Sequence, residues 1–265
     1  MTLRNLLTAA MFIGGVSISA AGTFTFSNTN AIVINDSASP PTAASAYPSA
    51  ITVSNVTGSY VTKVTVQIQG FAHQFPADVD VVLVGPQGQN AVLMGNVGTE
   101  TLPPPATNVD LTIDDDAATG MPLDTPLVSG TYKPTQRQAF TFDFPAPAPT
   151  TANLMGPTLA NFKNTNPNGT WSLYVVDDTN PDSGVITGGW SLTISTAPVV
   201  LSILRDQTNA VLSWTNTVIG YTLQATPTLS PPAWTNVNIA PVVVSGNNVV
   251  TNAMTNSTVF YRLAK

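Results

Sequence analysis

The segment from Gly169 to Ile194 constrains the fold of this chain more than any other stretch. Apolar side chains occupy alternate positions in each half of it, namely Trp171, Leu173 and Val175, and then Trp190, Leu192 and Ile194. Alternation with a period of two predicts half-buried strands of an antiparallel sheet. We therefore expect two neighbouring strands around an acidic loop. Both Trp side chains should enter one hydrophobic core and supply much of its apolar area.

The preceding part of the chain is predicted to form short strands separated by Pro, Gly, Asn and Asp. The predicted strands include Ala31–Ile34, Ile51–Val53, Val64–Ile68, Asp78–Val84, Asn90–Met94 and Val109–Ile113. A turn at Gly85–Gly88 should join two of these strands into a hairpin. Only Leu154–Phe162 is expected to hold a short helical turn, because no apolar stripe at helical spacing is long enough for an ordinary helix. This pattern predicts an all-β sandwich or barrel.

The chain divides into three predicted regions. Residues 1–21 have the positive start (Arg4), apolar centre and small-residue end of a signal peptide, with cleavage after Ala21. Residues 22–197 should form the main β-sandwich. Residues 198–265 should form a second, smaller sandwich of immunoglobulin or fibronectin-III type. That region contains seven short apolar runs: Val199–Leu204, Ala210–Trp214, Tyr221–Gln224, Trp234–Val237, Val242–Val244, Val249–Thr251 and Val259–Leu263.

The charge of the chain limits its partners. Its 265 residues include 14 acidic and 8 basic side chains, which give a formal net charge of -6, and no Cys. Without a basic patch to neutralise phosphates, nucleic acids and anionic membrane surfaces are not expected partners. No second long apolar run follows the signal peptide, so no membrane span is expected in the mature chain. With the signal peptide, this predicts a protein exported to the cell exterior.

Four motifs follow one another in a set order along the main region: Asp78–Gly88, Gly169–Leu173, Asp182–Gly184 and Gly189–Thr193. Their order and spacing resemble the P domain (P/Homo B domain) that follows the catalytic domain in proprotein convertases and bacterial subtilisin-like proteases. Gly85 stands where that family usually has Ser. The resemblance covers residues 24–196 and implies a jelly-roll, galactose-binding-like β-sandwich that packs on a protease. The C-terminal region more weakly resembles small fibronectin-III-like modules of exported bacterial proteins.

His73 is the single His of the chain and would be the base of any Ser-His-Asp arrangement. The sequence has no Gly-x-Ser-x-Gly nucleophile elbow and no alternation of helices and strands, both of which argue against a hydrolase domain. The peptidase activity associated with the P-domain family therefore does not transfer. We predict no catalytic residues and no enzyme activity, with His73 as a hydrogen-bonded residue of a loop.

Asp residues are the candidates for a ligand site, and they form three groups. The groups are Asp78 with Asp80, then Asp114, Asp115 and Asp116, and then Asp177 and Asp178 with Asp182. Adjacent carboxylates repel one another unless a positive charge lies between them, and calcium accepts such oxygen ligands. The predicted cofactor is calcium, with Asp114, Asp115, Asp116, Asp177, Asp178 and Asp182 as metal ligands. The alternative, solvated carboxylates that cap turns, stays open because the sequence has no EF-hand or other loop of fixed spacing.

These observations predict a secreted, non-catalytic binding or structural module of the bacterial cell exterior. It would be an accessory, adhesive or assembly subunit that associates with a protein partner or with its own copies. Two alternatives stay open: an accessory to a separate subtilisin-like serine protease, and a carbohydrate-binding module that stacks exposed aromatic rings on sugars. The candidate aromatic residues are Tyr174, on the face opposite Trp171, and Trp214, Tyr221 and Trp234, although core packing is the commoner role of Trp.

Overall fold

The computed structural model describes residues 21–36, 39–56, 59–99, 105–216, 220–254 and 258–264. The predicted signal peptide lies outside these residues except for Ala21. Nearly all of the regular structure is β, which confirms the all-β class that the alternating pattern predicts. Among the described residues, no helix is long and apolar enough to cross a membrane.

The main sandwich is built from strands β1 to β13. They are β1 (Gly22–Asn28), β2 (Ile32–Ile34), β3 (Thr42–Ala43), β4 (Ser49–Val53), β5 (Ser59–His73), β6 (Val79–Val84), β7 (Asn90–Gly95), β8 (Ala106–Ile113), β9 (Gly130–Tyr132), β10 (Thr135–Gln136), β11 (Gly169–Asp177), β12 (Gly184–Ile186) and β13 (Trp190–Pro198). Short 3-10 helices span Pro76–Asp78, Thr151–Asn153 and Leu159–Phe162. The last of these confirms the predicted helical turn.

Two sheets form the main sandwich. The first has the order β1-β13-β5-β12-β2, with β8 also paired to β5, and β9 to β8. The second has the order β10-β7-β6-β11-β3, with β4 also paired to β11. The pairs are antiparallel except β7 with β10 and β8 with β9. The predicted hairpin is confirmed, since β6 and β7 pair in antiparallel register around the turn after Val84.

The two Trp strands lie in opposite sheets, so the prediction that they are neighbours in a hairpin is wrong. β11 pairs with β6, β4 and β3, whereas β13 pairs with β1 and β5. Between them the chain crosses to the first sheet, where β12 pairs with β5. Trp171 and Trp190 are nevertheless both fully buried in one core, as predicted. The Trp residues therefore help to hold the two sheets together across the sandwich.

A further layer of side chains covers the outer face of β6, β7 and β11. It consists of Phe140 and Phe144 packed against Val82, Val92 and Val176. Tyr174 lies on the face opposite Trp171, as predicted, but it is buried there edge-on against Tyr47, with ring centroids 5.0 Å apart. The prediction that this strand is half-buried is therefore wrong, because side chains cover both of its faces.

The C-terminal strands form two smaller sheets. They are β14 (Ser202–Asp206), β15 (Asn209–Thr215), β16 (Thr222–Thr226), β17 (Thr235–Asn236), β18 (Val242–Val244), β19 (Asn247–Ala253) and β20 (Phe260–Ala264), and each falls on one of the predicted runs. The sheet orders are β14-β15-β19-β18 and β17-β16-β20. Their shared core is small, with Leu212, Trp214, Leu223 and Val250 as its largest buried side chains.

Candidate functional site

His73 and Asp177 form a buried pair that joins the two sheets of the main sandwich. His73 ends β5, and Asp177 ends β11. Nε2 of His73 donates to Oδ2 of Asp177 over 3.0 Å, and the two residues are 2% and 1% exposed. Nδ1 lies 2.8 Å from the carbonyl oxygen of Phe75 and 3.1 Å from its backbone nitrogen. Both ring nitrogens thus have partners within the protein. His73 is hydrogen-bonded, as predicted, but it lies at the end of a strand and not in a loop.

The close packing around His73 explains one of the sequence motifs. Gly184 on β12 is paired directly with His73 on β5. A Cβ atom on Gly184 would lie 2.3 Å from the carbonyl oxygen of Ala72 and 2.4 Å from Cδ2 of His73. Any larger residue would displace the buried imidazole or the strand behind it. The glycine of the Asp182–Gly184 motif therefore serves the packing of the His73 ring.

In the second acidic group, one lysine ammonium lies between two of the three carboxylates. Nζ of Lys63 lies 2.9 Å from Oδ1 of Asp114 and 2.6 Å from Oδ2 of Asp116. Asp115 accepts hydrogen bonds from Oγ1 of Thr158 and from the backbone nitrogen of Leu159, at the start of a 3-10 helix. Although burial alone would raise it, the pKa of Asp114 is lowered by the N–H of Asp116 and the Lys63 ammonium. The Lys63 ammonium thus lies between two of the carboxylates that the sequence predicts as calcium ligands.

The third acidic group is divided between two faces of the sheet. Asp177 points into the sandwich toward His73, whereas Asp178 accepts a hydrogen bond from Oγ1 of Thr179 over 3.1 Å. Asp182 lies half-buried nearby and acts on Asp78 through its charge. The predicted ligands Asp177 and Asp178 therefore do not face a common point.

A different set of carboxylates, Asp78, Asp80 and Asp178, lies where β6 begins and β11 ends. Asp80 is paired with Val176, and Val79 with Asp177. One step further in this register, Asp78 lies opposite Asp178, and its carbonyl oxygen accepts from the backbone nitrogen of Asp178 over 2.8 Å. Asp80 joins the other two because the charges of Asp178 and Asp78 both act on its carboxyl group. We call these three residues the outer carboxylate cluster.

Asp80 is the most deeply buried member of the outer carboxylate cluster, with 0% exposure. Its Oδ1 accepts from the backbone nitrogen of Asn96 over 3.1 Å, but its Oδ2 has no hydrogen-bond partner. The side chain of Asn96 also forms a hydrogen bond with Asp178 and donates to the carbonyl oxygen of Ala77 over 3.3 Å. Asn96 therefore ties the loop after β7 to this cluster.

Burial and mutual repulsion disfavour the ionised forms of the cluster. Burial, followed by the charges of Asp177 and Asp178, raises the pKa of Asp78 to about 7. Burial and the charge of Asp178 raise the pKa of Asp80 well above its ordinary value. Burial is also the main cause of the raised pKa of Asp178. As the side chains stand, no three His, Asp or Glu groups within the described residues are gathered around one point as metal ligands.

These pKa directions predict an unusual pH dependence of stability. A carboxyl whose pKa is higher in the folded than in the unfolded state binds its proton more tightly when folded. Without added metal, the free energy of unfolding should therefore decrease as the pH rises from about 5 to about 8, through the pKa of Asp78. Urea unfolding in chelator at both pH values measures this. The Asp78→Asn variant should reduce this decrease in the free energy of unfolding, whereas Asp206→Asn, at an exposed position, should leave it unchanged. An equal decrease with pH in both variants would contradict the assignment of the effect to Asp78.

The aromatic candidates lie mainly in the cores. Trp171, Trp190 and Trp214 are buried, which confirms core packing for these three residues. Trp234 is partly exposed, but the guanidinium of Arg262 lies 4.4 Å from the centroid of its ring. Nε of Arg262 in turn donates to Oε1 of Gln224 over 2.9 Å. One face of Trp234 is thus already covered by a cation of the same chain.

Exposed apolar side chains concentrate in the C-terminal region, a feature that the sequence analysis did not identify. Among the described residues twelve large hydrophobic ones are exposed, and eight of them follow Pro198: Val200, Ile203, Leu204, Ile239, Val242, Val243, Val244 and Val259. Every residue of β14 and of β18 is exposed, and these are the two outer strands of one sheet. In an ordinary strand every second side chain is buried, and the sequence pattern does not indicate that all residues of these two strands are exposed.

Comparison with known proteins finds no match for this chain among family models, curated proteins or solved structures. The resemblance to the P domain thus stays a prediction that rests on the four motifs and their order.

Proposed function

We propose that this protein is an exported, non-catalytic assembly module. In this proposal the N-terminal sandwich is the rigid body, and the C-terminal sheet associates with the same sheet of another copy. The observation that carries the proposal is that every residue of β14 and β18 is exposed, including the apolar residues Ile203, Leu204 and Val242–Val244. Export is inferred from the sequence of residues 1–21.

The exposed strands favour association with protein. An outer strand presents unpaired backbone N–H and C=O groups, and soluble proteins usually protect such edges with charge, proline or a covering segment. Val242, Val243 and Val244 are 65%, 59% and 52% exposed and carry no charge along the strand. An exposed apolar edge of this kind is the surface that strand addition uses.

A second copy of the chain fits these edges because each copy offers two of them. β14 and β18 close opposite ends of the same four-stranded sheet. If an edge of one copy pairs with an edge of the next, the sheet continues across the contact and covers the exposed apolar residues of these strands, although β14 also carries Arg205 and Asp206. Pairing β14 with β18 would extend into a ring or filament, whereas pairing like edges gives a two-fold dimer.

The surroundings of His73 support the absence of catalysis in this proposal. A general base must reach the proton it removes, directly or through one water. His73 is buried with both ring nitrogens beside protein partners, Asp177 and Phe75. A structural role accounts for each of these contacts.

A charge placed on β18 tests the proposal. In light scattering after size-exclusion chromatography, we expect the purified protein to have a molar mass above that of one chain, and Val243→Lys to return it to the monomer. Val33→Lys is the matched control, because Val33 is 48% exposed on the outer strand β2 of the other sandwich, where Ser45 already hydrogen-bonds its backbone. A wild-type monomer at every concentration, or equal effects of both substitutions, would contradict the proposal.

A further inference from the structure

Backbone hydrogen bonds of the four-stranded C-terminal sheet show which groups face outward on its two edge strands. All its strand pairs are antiparallel, and in such pairs residues that exchange both backbone hydrogen bonds alternate with residues that exchange none. Between β15 and β19, the backbone nitrogen of Met254 donates to the carbonyl oxygen of Thr208, and that of Asn216 to that of Gly246. Even-numbered residues of these two strands therefore bond one another, and odd-numbered residues bond β14 and β18.

The same alternation continues into the edge strands. Alternate residues of β14, from Ser202 to Asp206, lie opposite odd-numbered residues of β15, so their N–H and C=O groups are used inside the sheet. Ile203 and Arg205 point theirs outward. On β18, Val243 points outward, and Pro241, the preceding residue on that side, offers a carbonyl oxygen but no N–H. Within the described residues, β14 and β18 are the last strands of this sheet on either side.

The number of strands sets how two copies meet. Because neighbouring strands alternate in direction, the first and last of four strands, β14 and β18, run in opposite directions. A second copy in the same orientation therefore brings its β14 antiparallel to β18 of the first. With Val243 opposite Ile203, these two residues exchange both backbone hydrogen bonds. The N–H of Arg205 then meets the carbonyl oxygen of Pro241, where the proline has no donor to leave unpaired.

The exposed side chains match in the same register. Val242 lies opposite Leu204, and Val243 opposite Ile203, so apolar residues of both copies cover one another. Cross-strand pairs of this kind stabilise a sheet by about 0.2–1 kcal/mol each. The carboxylate of Asp206 falls beyond the valines, since its position in this register lies before β18 begins.

Pairing of like edges uses less of this surface. Two β18 strands would have Val243 as their only outward N–H donor within the strand, because the residue before it on that side is Pro241. Two β14 strands would leave the three valines of β18 exposed. Contact of β14 with β18 covers both apolar strands in a single repeated interface.

We propose that copies of this chain join head to tail, with β18 of one copy paired to β14 of the next, in an open filament. This inference rests on the proposed assembly function and specifies its edges and register. Strands in a sheet are about 4.8 Å apart and rotate by about 20–25° from one to the next. Four strands per copy then advance the filament by about 19 Å and turn it by about 80–100°. A contact that combines advance and rotation does not close into a ring.

Disulfide cross-linking tests the pairing, because the chain has no Cys of its own. Opposed residues that exchange both hydrogen bonds have Cα atoms about 5.5 Å apart, within the reach of a disulfide. After mild oxidation, an equimolar mixture of Ile203→Cys and Val243→Cys should run mainly as covalent dimers on a non-reducing gel. Each variant alone should stay a single chain, and the double variant should give a ladder. Val33→Cys, exposed on β2, is the control for random collision in each mixture.

The outcomes separate this pairing from the proposed function. Covalent dimers of Ile203→Cys alone or of Val243→Cys alone would overturn head-to-tail joining, since they require like edges to meet. A mixture that cross-links no more than the Val33→Cys control, while light scattering of the wild type gives more than one chain, would overturn the pairing and leave assembly standing. Closed rings in electron micrographs would overturn the open filament. A wild-type monomer in light scattering would instead overturn the proposed function itself.

Discussion

Replacing His73 by alanine should lower the free energy of unfolding of the main sandwich by about 3–5 kcal/mol, because it leaves a buried carboxyl oxygen without its hydrogen-bond donor and a cavity in place of the imidazole. Oδ2 of Asp177 would lose its partner while the carboxylate stays 1% exposed. The pair joins the ends of β5 and β11, which belong to different sheets, so its loss also weakens the connection across the sandwich. Urea unfolding followed by circular dichroism measures the difference.

A double-mutant cycle separates the pair from the volume of the imidazole ring. In the His73→Ala background, Asp177→Ala should cost little more or even restore stability, because no unpaired carboxylate then remains buried. Additive effects of the two substitutions would show that the contact contributes no coupling. A loss below about 1 kcal/mol for His73→Ala alone would contradict the structural role assigned to this residue.

Replacing Trp171 by alanine should lower the free energy of unfolding by about 3–5 kcal/mol, as large-to-small changes in a packed core do. Trp171 is fully buried, its ring centroid lies 4.9 Å from that of Phe162, and Nε1 donates to the carbonyl oxygen of Pro167 over 2.9 Å. The substitution therefore leaves both a cavity and an unpaired carbonyl oxygen.

Trp234→Ala is the matched control for Trp171→Ala. Trp234 is partly exposed, and its ring contacts the guanidinium of Arg262, a contact worth about 0.5–1 kcal/mol at an exposed site. Thermal unfolding of both variants compares the two positions. Equal shifts in Tm would contradict the assignment of Trp171 to the core and Trp234 to the surface.

The strands of this fold were predictable because their side chains alternate, whereas their assignment to sheets was not. The pattern at Trp171 and Trp190 is the same whether β11 and β13 are neighbours or face one another, since alternation reports which face is buried and not which strand is adjacent. The covering of Tyr174 by Tyr47 and the Phe140 layer comes from loops without a regular period. β1 was missed, although its Phe24 and Phe26 alternate with Thr.

The residues of the site show the same limit, because contacts between residues distant in the sequence could not be predicted from local patterns. The ammonium that pairs with Asp114 and Asp116 belongs to Lys63, about fifty residues earlier, and no local pattern reveals that contact. The burial of Asp80, by contrast, could have been predicted from its neighbours in the sequence. In the run Asp78–Val84, Asp80 shares its face with Val82, which the structure buries under the Phe140 layer.

Negative-stain electron microscopy of the purified protein tests the central claim, assembly through the C-terminal sheet, most directly. The exposure of β14 and β18 predicts regular assemblies of more than one copy in the wild-type protein and single particles in Val243→Lys. A field of uniform single chains in the wild-type sample, at the concentration used for light scattering, would contradict the claim.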